Sequence, residues 1–169
     1  MRIFSTKQIA SEGLPQSNNS MNRLVAIDLF AGCGGLSQGL VDAGFAVCAA
    51  VEVDAVAVES YRKNHPQTHL IERDIRKVQA SELKVLCSGA PVALLAGCAP
   101  CQGFCSLTAK NKRHDPRNGL VLHMARLIRE LKPMAVMMEN VPGLEKRGVR
   151  IFNKFVRLLR AAGYFRDGR

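Results

Sequence analysis

The feature that most constrains this chain is a series of five short segments, mainly apolar and without polar alternation, separated by stretches of helical period. The segments are 24–29, 45–52, 70–71, 91–96 and 135–138. A strand that is apolar on successive residues has both faces to bury. Strand–helix alternation supplies cover for both faces, so the pattern predicts an α/β fold: a parallel sheet with helices on both sides.

Local signals place the helices. Gly32, Gly34 and Gly35 follow the first strand and predict a tight turn into a helix over 36–43, closed by Gly44. Asp54 is an N-cap for a helix that runs to 64, and Pro66 prevents its continuation. A weak helix is expected over 80–87. Apolar residues at 120, 124, 127, 128 and 131 share one face of a helix that ends before Pro133. A last helix is expected over 149–162. Residues 1–22 lack periodicity and carry Ser, Asn, Gln and Pro, which predicts a flexible leader before a single domain at 23–169. Residues 97–118 read as a long polar loop. Five strands of this kind are expected in the spatial order 3-2-1-4-5, leaving the fifth as an uncovered edge.

Charge narrows the partner. A net charge of +10 favours a polyanion, with nucleic acid the usual one, although a solvating basic surface has the same composition. Seven Phe, two Tyr and no Trp argue against an aromatic stacking platform for single strands. There is no apolar run of the roughly 18 residues a membrane span needs, and no secretory signal at the start. The six cysteines therefore read as free thiols in a reducing bacterial cytosol, with Cys48, Cys87 and Cys98 in or near apolar segments as small hydrophobes.

Three groups of residues carry chemistry. Phe30-Ala31-Gly32-Cys33-Gly34-Gly35 is a turn through which a ligand can approach backbone N–H groups, and Glu52 ends the next strand, where a carboxylate can bind ribose hydroxyls. Ser37 stands where a dinucleotide fingerprint has its third glycine, so a nucleoside with a smaller anionic group fits better than a pyrophosphate. Glycines alone are equally compatible with a structural turn. Cys101, just past the fourth strand, is a candidate thiolate nucleophile. It is also compatible with a packing cysteine or, through Cys98-x-x-Cys101 with Cys105 and His114, with zinc, for which no second cysteine pair exists. Glu139 follows the apolar fifth strand, which predicts partial desolvation and a raised pKa suited to holding a proton. A surface glutamate in a turn is the plain alternative.

All three groups fall at the C-terminal edge of one sheet. In order and spacing, 28–35, Glu52-Val53-Asp54, Asp74-Ile75, Pro100-Cys101-Gln102-Gly103-Phe104, Asp115-Pro116-Arg117-Asn118 and Glu139-Asn140-Val141 resemble the DNA cytosine-5 methyltransferase family over about residues 24–165. The resemblance implies a Rossmann-like S-adenosylmethionine-dependent methyltransferase fold. It implies that Phe30 packs on adenine, that the Ala31 to Gly35 backbone holds the methionine end, and that Glu52 with Val53 takes the ribose. Asp74 and Ile75 border the adenine, Pro100 lines the pocket, Cys101 is the nucleophile, and Glu139 grips the cytosine at its ring nitrogen 3 and exocyclic amine. DNA is the implied partner, in a restriction–modification setting, and no metal is implied.

The chemistry such a family performs follows from the base. Carbon 5 of cytosine is a poor nucleophile until a thiolate adds to carbon 6, and in a duplex the base must be flipped out to be reached. Gln102, Lys110, Lys112, Arg113 and Arg117 lie in the loop after Cys101 and are candidate nucleic-acid contacts. The chain departs from the family at Cys98-Ala99, where a Pro commonly precedes the Pro-Cys pair, and at Cys105, where Ser is common. The family's later arginine motif, target-recognition region and C-terminal segment have no counterpart in these 169 residues. The catalytic domain is therefore expected to be partial: a fragment, a frameshift product, or one half of a split enzyme whose second polypeptide carries the other motifs. An RNA cytosine-5 methyltransferase, or an inactive fragment that binds cofactor or nucleic acid, are the alternatives.

Overall fold

The computed structural model describes residues 2–6, 9, 23–100, 116–139 and 148–167. Among them are seven strands: β1 (Arg2–Thr6), β2 (Val25–Leu29), β3 (Ala46–Glu52), β4 (His69–Glu72), β5 (Val92–Gly97), β6 (Ala135–Met138) and β7 (Tyr164–Asp167). They form one sheet in the order β4-β3-β2-β5-β6-β1-β7. Strands β4 to β6 are mutually parallel, and β1 runs antiparallel to both neighbours. The described helices are α1 (Gly35–Asp42), α2 (Ala55–Asn64), α3 (Ala80–Leu86), α4 (Leu120–Leu131) and α5 (Val149–Ala161). The five strands legible in the sequence thus take the expected 3-2-1-4-5 order, in a Rossmann-like α/β architecture.

The mainly apolar strands divide their side chains between two cores with a period of two, except that a register shift between β2 and β3 puts Val47 and Val51 on opposite faces. Ile27, Leu29, Val51, Leu95, Val136 and Met138 join one cluster with residues of α3, α4 and α5. Ala26, Val47, Leu94, Ala96 and Ala135 join the other with Leu40 of α1. Helix ends follow their local chemistry. The Asp54 carboxylate accepts from Val56 N–H at 3.1 Å and Ala57 N–H at 3.0 Å, capping α2. Gly44 takes φ +90 after α1, the left-handed turn that glycine makes without steric cost.

Three expectations are corrected. The first residues of the chain are not loose leader: Arg2–Thr6 form β1. Its pairing partner Ala135–Met138 lies at the other end of the sequence, so no local pattern announces the strand. Consequently β6 is not an edge. It is covered by β1, and β1 in turn by β7, which follows α5 through Gly163 at φ +90. Helix α5 packs its apolar face beside β1. Phe152, Phe155 and Leu159 are buried, Phe155 meets Phe4 of β1 edge-on at 6.0 Å between ring centroids, and Arg150, Lys154 and Arg157 face solvent. Last, Cys48 of β3 and Cys87 after α3 are joined in a disulfide across a Cα–Cα distance of 5.2 Å, rather than standing as separate thiols. Both sit where α3 packs on the sheet, which brings the two backbones within disulfide reach.

No helix among the described residues is long and apolar enough to cross a membrane.

Candidate functional site

The site begins where β2 ends. Phe30, Gly32 and Gly34 all take positive φ, at 61, 57 and 96. This left-handed path reverses the chain before α1 and is locked by Gly34 N–H donating to Ala31 O at 3.0 Å. The buried residue Ala31 also donates to Val51 O at 3.1 Å, tying the loop to β3. Gly34 could be nothing larger: a Cβ there would collide with the His65 ring, whose Nε2 lies 2.9 Å from Gly34 O. Cys33 is exposed, and its carbonyl accepts from Asn64 Nδ2 at 2.9 Å.

Beneath the loop lies a buried polar chain. Ser37 Oγ donates to Asp28 Oδ2 at 2.7 Å and sits 2.7 Å from the Tyr61 hydroxyl, joining β2, α1 and α2. The other Asp28 oxygen is buried without a hydrogen-bond partner. Burial pushes the Asp28 carboxyl up from 3.8 to about 6 against the Ser37 hydrogen bonds, with a smaller push from Glu52. Burial also raises the Tyr61 hydroxyl.

Glu52, at the end of β3, is fixed by backbone donors. Its Oε2 accepts from Gly32 N–H at 2.8 Å, and its Oε1 from Val53 N–H at 2.7 Å and Asp54 N–H at 2.9 Å. A carboxylate has about four lone-pair positions, so one remains for a ligand hydroxyl. Asp74 is held otherwise. Its carboxylate is gripped by Arg76 through Nε at 3.0 Å to each oxygen, which holds its pKa down at about 2.

A cavity of about 360 Å³ collects these groups at the C-terminal edge of the sheet. Phe30, Glu52, Val53, Asp74, Ile75 and Pro100 line it, so six side chains singled out from four separate stretches of sequence meet in one place. Arg73, Arg76, Cys98 and Leu120 also line it and were not anticipated. They sit in connecting turns or at a helix start, where periodicity says nothing of direction. Arg117, expected at a nucleic-acid backbone, stands in the wall of this cavity. Apolar walls beside an anchored carboxylate suit a flat heterocycle attached to a diol. A larger, more open groove of about 720 Å³ lies between β4 and α3, but none of the sequence motifs faces it, and Glu82 in its wall is committed to Arg73 at 2.8 Å.

Gly97 ends β5 with Leu29 O only 3.0 Å from where a Cβ would stand, which lets β2 and β5 close together below the cavity. Beyond it, Cys98 is exposed and donates from Sγ to Glu139 Oε2 at 2.7 Å. Glu139 N–H donates to Gly97 O at 3.1 Å. Glu139 is exposed, not partly desolvated as its apolar neighbours suggested, because it leaves the sheet at the end of β6. Cys101, Gln102, Lys110, Lys112 and Arg113 lie outside the described residues. Among the described residues, no group of three or more His, Cys, Asp or Glu side chains could hold a metal ion.

Comparison with known proteins places this geometry. The family model for C-5 cytosine-specific DNA methylase matches residues 24–167. The Type II methylase M.HgiDII of Herpetosiphon aurantiacus is 40% identical over 140 residues, 82% of this chain and 39% of that protein. The Type II methyltransferase M.XorII of Xanthomonas oryzae is 40% identical over 138 residues, 80% of this chain and 32% of that protein. A crystal structure described as a DNA modification methyltransferase encoded within an E. coli prophage superposes with a TM-score of 0.71 at 36% identity, covering 82% of this chain and 38% of that one. The chain thus spans 32% to 39% of the length of these relatives. With the match running from β2 to β7, the chain belongs to the C-5 cytosine-specific DNA methylase family.

Proposed function

We propose that this chain supplies the S-adenosylmethionine pocket and the reacting thiol of an enzyme that methylates carbon 5 of cytosine in DNA. The observation that carries the reading is the convergence of Phe30, Glu52, Val53, Asp74, Ile75 and Pro100 on one cavity, with Glu139 hydrogen-bonded to Cys98 of its wall. In this reading Phe30 and Ile75 hold the adenine, and the remaining lone-pair site of Glu52 takes a ribose hydroxyl. The Ala31 to Gly35 turn faces the methionine end. S-adenosylmethionine supplies an electrophilic methyl group on a sulfonium.

The chain's own residues make the base reactive. Cys101, which follows Pro100 in the sequence, adds as a thiolate to carbon 6 and places electron density on carbon 5. Glu139 holds the cytosine edge and stabilises the charge that develops on the ring. After methylation, loss of the carbon 5 proton returns its electron pair to the ring and expels Cys101 as thiolate. The net charge of +10 suits the DNA backbone, with Gln102, Lys110, Lys112 and Arg113 as the proposed contacts. Base recognition is assigned to polypeptide beyond these 169 residues, carried by the same or a second chain.

Isothermal titration with S-adenosylmethionine tests the pocket: saturable binding is expected, weakened at least about tenfold in Glu52→Ala by loss of the charge-assisted hydrogen bond. Labelled methyl transfer to cytosine in DNA, measured with the remaining polypeptide present, should vanish in Cys101→Ser while cofactor binding persists. Absence of binding, or binding indifferent to Glu52, refutes the reading.

A further inference from the structure

Cys98, of the pair Cys98-Ala99 where the chain departs from the family pattern, lines the cavity and touches the Glu139 carboxylate. Its Sγ donates to Glu139 Oε2 at 2.7 Å, and the same side chain lines the cavity beside Phe30 and Pro100. We infer that Cys98 is a positioning residue that fixes the orientation of Glu139 toward the base. This rests on the reading of Glu139 as the group that grips cytosine.

The physical case is one of geometry. Glu139 leaves the sheet after Met138, its backbone N–H donating to Gly97 O and its side chain exposed. A glutamate has three side-chain torsions, and an exposed one samples many rotamers. A donor on the adjacent strand end removes that freedom by taking one lone-pair position of Oε2 and leaving the remaining positions of the carboxylate for the base. Cys98 is placed for this because its own backbone is tied down, with N–H donating to Leu29 O at 3.3 Å. A thiol also suits a partner that must change protonation. It donates to a carboxylate and accepts, weakly, from a carboxylic acid, so contact survives in either state. The assignment separates two thiols three positions apart: Cys98 holds the carboxylate, and Cys101 attacks the base.

Two measurements test this, and the first needs no methyl transfer. Alkylation by iodoacetamide at mildly alkaline pH is followed residue by residue by fragment mass spectrometry on the full chain. Exposed Cys33 serves as internal reference. Removing the negative charge in Glu139→Gln should speed alkylation of Cys98 by about threefold or more, since thiolate is favoured away from a carboxylate, and leave Cys33 unchanged. The second measures kcat and KM for methyl transfer in the active assembly. Cys98→Ala should lower kcat by about three- to tenfold, with KM for S-adenosylmethionine little altered, and Cys98→Ser, which restores a donor, should recover most of the loss. Alkylation of Cys98 that is indifferent to Glu139→Gln, or equal kcat values for the Ala and Ser variants, overturns the inference. If the wild-type assembly transfers no methyl group, the proposed function fails, while the alkylation result still decides whether the pair exists.

Discussion

The buried carboxylate of Asp28 should leave a signature in the pH dependence of stability. Asp28 is fully buried, one of its oxygens has no partner, and its carboxyl is pushed from 3.8 to about 6. The folded state therefore binds the proton more tightly than the unfolded state does. This side chain is least costly below the unfolded value, near pH 4. Stability falls as pH rises through about 6 and stays level above it. A difference of about two units at 1.36 kcal/mol each gives about 3 kcal/mol across that window. Asp28→Asn keeps an oxygen for Ser37 but cannot ionise. It also buries an amide where the unpartnered oxygen stood, a penalty of about 1–3 kcal/mol that does not vary with pH. The informative quantity is thus the difference between the two proteins as a function of pH. Urea unfolding followed by circular dichroism, at steps from pH 4 to pH 7, should show Asp28→Asn gaining about 3 kcal/mol on the wild type over the range. Two proteins whose stabilities run parallel would refute the reasoning and mean that the carboxylate is solvated or partnered in solution.

Two further substitutions probe the frame. Gly34→Ala forces a side chain into left-handed backbone and against His65, so a loss of about 1–3 kcal/mol in unfolding free energy is expected, together with weaker S-adenosylmethionine binding by titration. Phe4→Ala removes a ring that is 1% exposed and packed on Phe155, and should cost about 3–5 kcal/mol by urea unfolding; a loss within experimental error would mean that β1 does not hold in solution.

Much of the sheet was legible because its strands carry the signal themselves. Apolar runs with no alternation name a doubly covered strand, and Asp54, Gly44 and Pro133 mark element ends within one or two residues of where they fall. What escaped was non-local. Arg2–Thr6 is a short stretch whose strand character comes from pairing with Ala135–Met138 and Tyr164–Asp167, and the sequence between them says nothing of it. The cavity was legible for a related reason. Strand ends in a parallel sheet converge on one edge, so Phe30, Glu52 and Pro100 had to meet once the strand order was right. Arg73, Arg76 and Cys98 had no such guarantee, because the direction of a turn residue is set by its neighbours in space.

The N-terminal strand bears on Glu139 through register. Arg2 pairs with Met138 and Ser5 with Ala135, so β1 holds β6 along its whole length. On the other side Gly97 pairs with Met138, and its carbonyl takes the Glu139 N–H. The carboxylate therefore emerges from a strand clamped on both sides up to the residue before it. A four-residue strand held on one side alone would open from its end, because its terminal ladder bonds would compete directly with water. Glu52 is insulated from such loosening: it ends β3, two strands beyond β5 from β6, and its carboxylate is fixed by Gly32, Val53 and Asp54. The two halves of the proposed reaction thus depend on different parts of the chain. In that proposal the cofactor pocket draws on residues 28–54, the turn after β4 and Pro100 beyond β5. The grip on the base rests on a strand from the first six residues of the sequence.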